Sequence, residues 1–303
     1  MGTATEVTVP VLGVDCGGGS TRAVLVLPGG QVEQLGGPPL NALLHDDLAE
    51  VLAGLVVDSG AHLVGVGVPG LRGDVARAAL AGRLTALCRR PVAVADDVRT
   101  ARLAAFAGGP GIVVVAGTGS NALGEDAAGL WARAGGHGFL LGDEGGGWWI
   151  GREAVRAALR ARDGLDPATA LVARIEEAFG GLDAAVTSVH ASPADRTALS
   201  RLTRPVAEAA DGGDEVAAAI LDRAADELAA LAHAVRRRLP TAGPHAREDL
   251  PVAMLGGVFA IHRVRERFVA ATGARAAAEA PEWGAVRLAL AEAEPRPGDA
   301  DGR

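Results

Sequence analysis

The chain contains no tyrosine, and aromatic residues make up only 3% of it, while hydrophobic residues reach 49%. A core of that composition is built from Ala, Val and Leu, which favours layered α/β packing over an aromatic-rich sandwich. Cysteine is scarce too. Cys16 and Cys88 stand far apart in sequence, giving neither a disulfide framework nor the ligand spacing of a zinc site. No stretch reaches the roughly 18–20 uninterrupted apolar residues of a membrane-spanning helix. The opening MGTATEVTVP lacks the charged and apolar regions of a secretory signal. A cytoplasmic protein with no membrane partner is the expectation. Positive charge is also in deficit, with a formal net charge of −8, which argues against nucleic acid as a partner. The densest basic run, Arg236–Arg238, ends a helical pattern, where cations complement the helix C-terminus.

What the chain does have is a repeated strand–glycine–strand pattern. With 303 residues it can form one large domain or two ordinary ones. An apolar, β-branched run from Val9 to Val14 ends at Asp15. CGGGST, AVLVL and PGG follow, and QVEQL then supplies a third strand. This order predicts a hairpin with glycine-rich turns. LHDDLAEVLAGLVV has helical spacing, HLVGVGVPG reads as a buried strand, DVARAALAGRLTALC as a helix, PVAVADD as a strand and VRTARLAAF as another helix. After Gly108-Gly109-Pro110 the pattern restarts with GIVVVAGTGS, and NALGED and GLWARA are further short strands. Residues from Gly151 to about Arg238 are mainly helical and Ala-rich. PVAMLGGVFA is one more buried strand, and EPRPGDADGR is a polar tail. Two related α/β domains follow from this order. Ligands of such folds sit at the carboxyl ends of strands.

The residues at those strand ends are the ones that can carry chemistry. Asp15 ends the first strand, Gly17–Gly19 let a ligand approach the backbone, and Ser20 and Thr21 add hydroxyls. This is a plausible phosphate cradle with an acid to hold hydrated Mg²⁺, although a plain hairpin turn explains the same glycines. The loop has neither the P-loop lysine nor the dinucleotide-binding fingerprint. GTGSN at 117–121 is a second loop of the same kind. Asp96 and Asp97 end a third strand. Asp97 suits a general base and equally a helix N-cap. In GHGFLLGDEGGGWWIGREA, Asp143 and Glu144 lie among glycines before Trp148-Trp149. Carboxylates bind sugar hydroxyls and an indole packs against a ring, while core anchoring of the next helix explains the same tryptophans. The Gly256-Gly257 pair lets an adenine or ribose lie against the backbone.

Taken in order, VDCGGGSTRA, LNALL, VADDVRTA, GIVVVAGTGSNALG, GFLLGDEGGGWWIGREA, LGGVF and PEWGAVRLAL resemble the N-acetylglucosamine kinase and BadF–BcrA-type ATPase family. That family belongs to the superfamily of actin, sugar kinases and heat-shock chaperones. The resemblance covers roughly residues 11–292 and implies an α/β fold of two RNase H-like, actin-like domains with an interdomain cleft. The domains would be 1–108 and 109–303, the second with a helical insertion and a last helix that packs back on the first. It implies ATP and Mg²⁺ as cofactors, a small-molecule amino sugar as substrate, phosphorylation of its 6-hydroxyl, and a homodimer. By position, Asp15 (to the metal through water), Gly17, Gly18 and Thr21 meet the phosphates. Gly117, Thr118 and Gly119 form the second phosphate loop, with Thr118 and Gly119 also near the sugar. Asp97 is the base and also contacts the sugar, Asn41 and Asp143 bind the sugar, and Gly256 and Gly257 lie on the adenosine side. The chain departs from the family pattern at Cys16, Gly19, Pro69, Gly146 and Trp148. Two other functions within the resemblance are an ATPase that activates a partner redox enzyme and a non-catalytic sugar sensor. The activators carry cluster-ligating cysteines, whose spacing Cys16 and Cys88 do not have. Gly19, in place of a threonine, keeps the sensor in play.

Overall fold

A computed structural model describes residues 7–17, 19–71, 73–191, 196–239 and 250–293. Gly18 and the polar tail from 294 onward lie outside the described residues. The chain divides into two compact units, Met1–Gly109 with Ala277–Arg303, and Pro110–Ala276. The border lies one residue beyond the 108/109 division read from the glycine-rich break.

In the first unit, β1 (Val11–Cys16), β2 (Thr21–Val26) and β3 (Val32–Gly37) form an antiparallel meander. β4 (Leu63–Val68) and β5 (Val92–Asp96) extend it parallel to β1, in the order β3-β2-β1-β4-β5. Every residue of β1 is buried, as a central strand covered on both faces requires. β3 is mostly exposed, and its Glu33 and Gln34 suit an edge strand. Helices α1 (Leu48–Ser59), α2 (Gly73–Cys88) and α3 (Asp97–Ala105) complete this stretch.

The second unit repeats the plan. β6 (Gly111–Ala116), β7 (Ser120–Glu125) and β8 (Trp131–Gly135) are the meander, and β9 (Val252–Leu255) and β10 (Arg275–Ala276) extend it in parallel. Its order, β8-β7-β6-β9-β10, is that of the first unit strand for strand. Between β8 and β9 lie α4 (Gly147–Arg162), α5 (Leu171–Phe179), α6 (Leu182–Ala191), α7 (Thr197–Ser200), α8 (Thr203–Asp211) and α9 (Glu215–Arg238). α9 buries Ala217, Ile220, Leu221, Ala224, Ala225 and Leu228, a stripe at helical spacing. Its basic last turn bonds carbonyls: Arg236 donates to Leu250 O at 2.9 Å and Arg238 to Arg133 O at 2.7 Å.

α10 (His262–Thr272) follows β9, and α11 (Pro281–Ala293) returns to the first unit, where it packs on α3, β1 and β4. A Cβ on Gly284 of α11 would lie 1.8 Å from Thr100 O of α3. These two helices therefore touch backbone to backbone, which only glycine permits there.

Candidate functional site

β1, β4 and β5 run parallel, with Asp15 opposite Gly67 and Val68 opposite Asp96. This register brings Asp15 and the Asp96-Asp97 pair to the same end of one sheet. Asp96 caps α3: its extended backbone and its carboxylate, which accepts from Arg99 N–H at 3.0 Å, take the capping role. The expected alternative role of Asp97 as that cap is thus corrected by one residue. Asp97 is the first helical residue, half-buried, and its Oδ1 accepts from Val98 N–H at 2.9 Å.

Asp15 is buried and shares the Arg22 guanidinium, at 3.4 Å, with Glu282 at 4.0 Å. Burial, with the Asp97 charge second, pushes the Asp15 carboxyl from 3.8 up to about 7 against the opposing pull of Arg22. A carboxylate whose ionisation is opposed by a second acid suits a cation nearby. The donors fit magnesium, which keeps several waters and takes one or two protein carboxylates together with phosphate oxygens. Among the described residues no cluster of three or more His, Cys, Asp or Glu could cage a metal without a ligand's help.

The turn after β1 is tight. Gly17 N–H donates to Ser20 O at 3.0 Å, and the Thr21 hydroxyl donates to Pro38 O at 2.6 Å. Both protons are thereby engaged within the protein. Asn41 is buried, and its Oδ1 accepts from Leu43 N–H at 2.9 Å. Cys16 is a free, buried thiol that burial, with Asp15 second, pushes up to about 12. The thiol is therefore held in its neutral form beside Asp15.

In the second unit the GTGSN loop is tied to a helix end. Gly147 N–H donates to Gly117 O at 2.8 Å and Trp148 N–H to Thr118 O at 2.9 Å. The first N–H groups of α4, which a helix leaves unsatisfied, are thus met by the loop's carbonyls. This is why α4 begins at Gly147, four residues before the helical segment read from the sequence. Trp148 and Trp149 consequently sit inside the first turn and are buried in the core. Gly117 N–H is engaged by Gly119 O at 3.0 Å. The N–H groups of Thr118 and Gly119 and the Thr118 hydroxyl have no hydrogen-bond partner among the described residues. Three donors on one glycine turn suit an anion.

Asp143 is buried, at φ +63°, a conformation that costs a non-glycine residue strain. It accepts from the backbone N–H groups of Ser120 and Gly138 and lies 3.9 Å from Arg196. Burial still holds its carboxyl above the usual range, with Arg196 pulling the other way. A Cβ on Gly119 would fall 2.5 Å from Asp143 Oδ2, so this glycine makes room for the acid. Gly256, at φ +112°, turns the chain under Ala116 O, and a Cβ there would clash at 2.3 Å, whereas Gly257 faces open space.

Within the first unit Asp15, Thr21 and Asp97 gather at one sheet end, and within the second Gly117, Thr118, Gly119 and Asp143 gather around the start of α4. Arg22, Glu282 and Arg196 were not singled out by sequence reasoning. The register of β1 and β2 places Arg22 opposite Asp15, which a hairpin reading could have given. Glu282 and Arg196 approach through the fold alone.

The model of the BadF/BadG/BcrA/BcrD ATPase family matches residues 12–285. An N-acetylmuramic acid/N-acetylglucosamine kinase of Clostridium acetobutylicum is 34% identical over 139 residues, 45% of this chain and 45% of its own. An N-acetyl-D-glucosamine kinase of Dictyostelium discoideum is 33% identical over 150 residues, 48% of this chain and 46% of its own. The matched stretch spans about half the length of these curated relatives. A crystal structure from Chromobacterium violaceum, provisionally assigned as an N-acetylglucosamine kinase, has a TM-score of 0.73 at 25% identity, covering 92% of this chain and 98% of that one. With its two mixed sheets of one strand order and a family match across 12–285, the chain belongs to the BadF/BadG/BcrA/BcrD ATPase family and has the two-domain, actin-like fold of the sugar kinases.

Proposed function

We propose that the protein is an ATP-dependent kinase that phosphorylates the 6-hydroxyl of an amino sugar, N-acetylglucosamine in the first instance. The observation that carries this reading is the acid pair at the end of β1 and β5. Asp96 caps α3, so the helix does not need Asp97 for that role, and the charge of Asp97 acts on buried Asp15.

In this reading Asp97 accepts the proton of the attacking hydroxyl. Asp15 holds Mg²⁺ through water, and the bound metal offsets charge on the transferring phosphoryl group. Gly17 and Thr21 shape the first phosphate turn by backbone and packing, since the Gly17 N–H and the Thr21 hydroxyl proton bond within the protein, and Gly18 is assigned to the same turn by its place in the sequence. Gly117, Thr118 and Gly119 form the second phosphate turn, where the Thr118 and Gly119 N–H groups and the Thr118 hydroxyl donate. Gly256 and Gly257 receive the adenosine side, with Gly257 offering the open face. Asn41 through its NH₂ and Asp143 through its carboxylate orient sugar hydroxyls. A cytoplasmic homodimer belongs to the same proposal, and light scattering on an eluting column peak measures that part directly.

The deciding experiment is a coupled ADP-release assay with Mg²⁺ against a panel of hexoses and amino sugars, with controls lacking sugar. Release that depends on an amino sugar supports the kinase. Equal release without any sugar would point to a plain ATPase, and sugar binding without turnover to a sensor.

A further inference from the structure

Arg196 has no part in the chemistry described above, yet its guanidinium approaches Asp143 Oδ2 at 3.9 Å. It arrives there from the N-cap position of α7, a single helical turn that is fixed against α4. A Cβ on Gly151 of α4 would lie 2.0 Å from Leu199 O, so the two elements touch backbone to backbone, and Leu199 is buried at the contact. The Arg196 side chain is only 15% exposed and lies 5.9 Å over the Phe139 ring, an arrangement that attracts a cation. Phe139 in turn meets Trp148 edge to face at 5.1 Å. The arginine is therefore held in place without any hydrogen bond of its side chain among the described residues.

That distance matters. A carboxylate has about four acceptor positions, and the backbone N–H groups of Ser120 and Gly138 take two of those of Asp143. At 3.9 Å the guanidinium is beyond hydrogen-bond length and takes none, so about two stay open. Its charge still acts. Burial raises the Asp143 carboxyl, and Arg196 is the largest influence in the other direction. Exposed Glu144, from the same loop, adds a smaller upward push. β7 faces Asp143 with neutral Ser120, and the first turn of α4, from Gly147 to Ile150, carries no charge. His137, which packs at Gly142, is the remaining titratable side chain of the loop.

We propose that Arg196 is the positioning residue of the sugar contact: it keeps the buried Asp143 carboxylate ionised while leaving the open acceptor positions of that carboxylate to hydroxyls of the sugar. Arg196 acts through Asp143 and does not itself touch the substrate. The inference rests on the reading of Asp143 as a sugar contact and adds to it the group that makes a buried acid usable there. A directly hydrogen-bonded arginine would supply the same charge but occupy the positions the sugar needs.

The test is a double-mutant cycle read by titration calorimetry, with N-acetylglucosamine titrated into the full chain, R196Q, D143N and the R196Q/D143N pair. R196Q should weaken sugar binding about tenfold, and on top of D143N it should add less than about twofold, because its effect passes through the acid. R196K, which keeps the charge and can still lie over the ring, should stay within about threefold of the unaltered chain. A merely structural arginine would weaken binding equally in both backgrounds. Unchanged affinity in R196Q, or a loss that adds in full to that of D143N, overturns the proposal. Should R196Q fail to fold, R196K decides: affinity retained supports the proposal, and a loss of about tenfold or more refutes it. The two failures stay distinct. No binding of the sugar by the unaltered chain would sink the reading of Asp143 and this inference with it, whereas binding that ignores Arg196 sinks this inference alone.

Discussion

Asp97 is the residue on which the proposed chemistry turns. Replacing it with Asn keeps the size and removes the proton acceptor. The expected loss in kcat is about 10²–10⁴-fold, with ATP affinity retained in a fluorescent-nucleotide binding assay. An undiminished kcat would remove Asp97 from the base role. Asp15 makes a prediction about pH. Its carboxyl titrates near 7 in the folded chain against an ordinary 3.8, so between those values the folded state holds a proton that the unfolded chain has lost. Stability therefore falls as pH rises from 3.8 to about 7 and is level beyond. Melting temperatures of the ligand-free protein across that range should show this slope, and Asp15→Asn should flatten it. Gly119 is the third test at this scale. Gly119→Ala drives a methyl into the Asp143 carboxylate, 2.5 Å away, and overpacking of this kind costs about 1–3 kcal/mol. Because the displaced group is the proposed sugar contact and Gly119 itself lies in the proposed phosphate turn, KM should rise for the sugar and, to a smaller extent, for ATP, as steady-state kinetics would report.

Among the elements, α11 is the one whose position the sequence hides best. It is distant from β1 along the chain yet packs on β1, β4 and α3, with Val286 and Ala289 buried against Val11, Val24 and Val26. A methyl on Gly284 would press on the backbone of α3, which cannot yield as a side chain can. Gly284→Ala is expected to destabilise the first unit by about 1–3 kcal/mol or more, read from urea unfolding. α4 illustrates a different dependence. Its start is fixed by carbonyls of Gly117 and Thr118 rather than by a capping side chain, so helix-start signals alone place it too late. α10 is tied to α9 by two guanidinium forks, Arg263 to Asp222 and Arg267 to Asp226. These are largely exposed pairs, worth roughly 0–1 kcal/mol each, and they orient α10 more than they stabilise it.

For the whole molecule, the division into units makes its own prediction. The second unit is one continuous stretch, Pro110–Ala276, whereas the first needs both ends of the chain. Removing residues 277–303 uncovers Val11, Val24 and Val26 and should abolish the cooperative unfolding of the first unit while leaving that of the second, seen by calorimetry as the loss of one transition. All 29 basic residues are arginine, so any charge on a bound phosphate is met here by guanidinium groups, backbone donors or a metal, never by a lysine. Much of this was legible beforehand. Apolar runs and glycine turns gave the strands, because period and turn chemistry are local, and the repeat of the meander in the two halves was visible as repeated order. Asp15, Asp97 and the GTGSN loop were legible as strand ends. The sequence by itself therefore determined the elements and the residues at their ends. Only the tertiary structure decided that Asp96 and not Asp97 caps α3, that Gly119 serves Asp143, and that Glu282, Arg22 and Asp15 share one neighbourhood. The cap is a local choice between two neighbouring carboxylates that spacing leaves open, whereas Glu282 at Asp15 and Asp143 at Gly119 are contacts between residues remote along the chain, whose burial, charge coupling and steric room exist only once packing has brought them together.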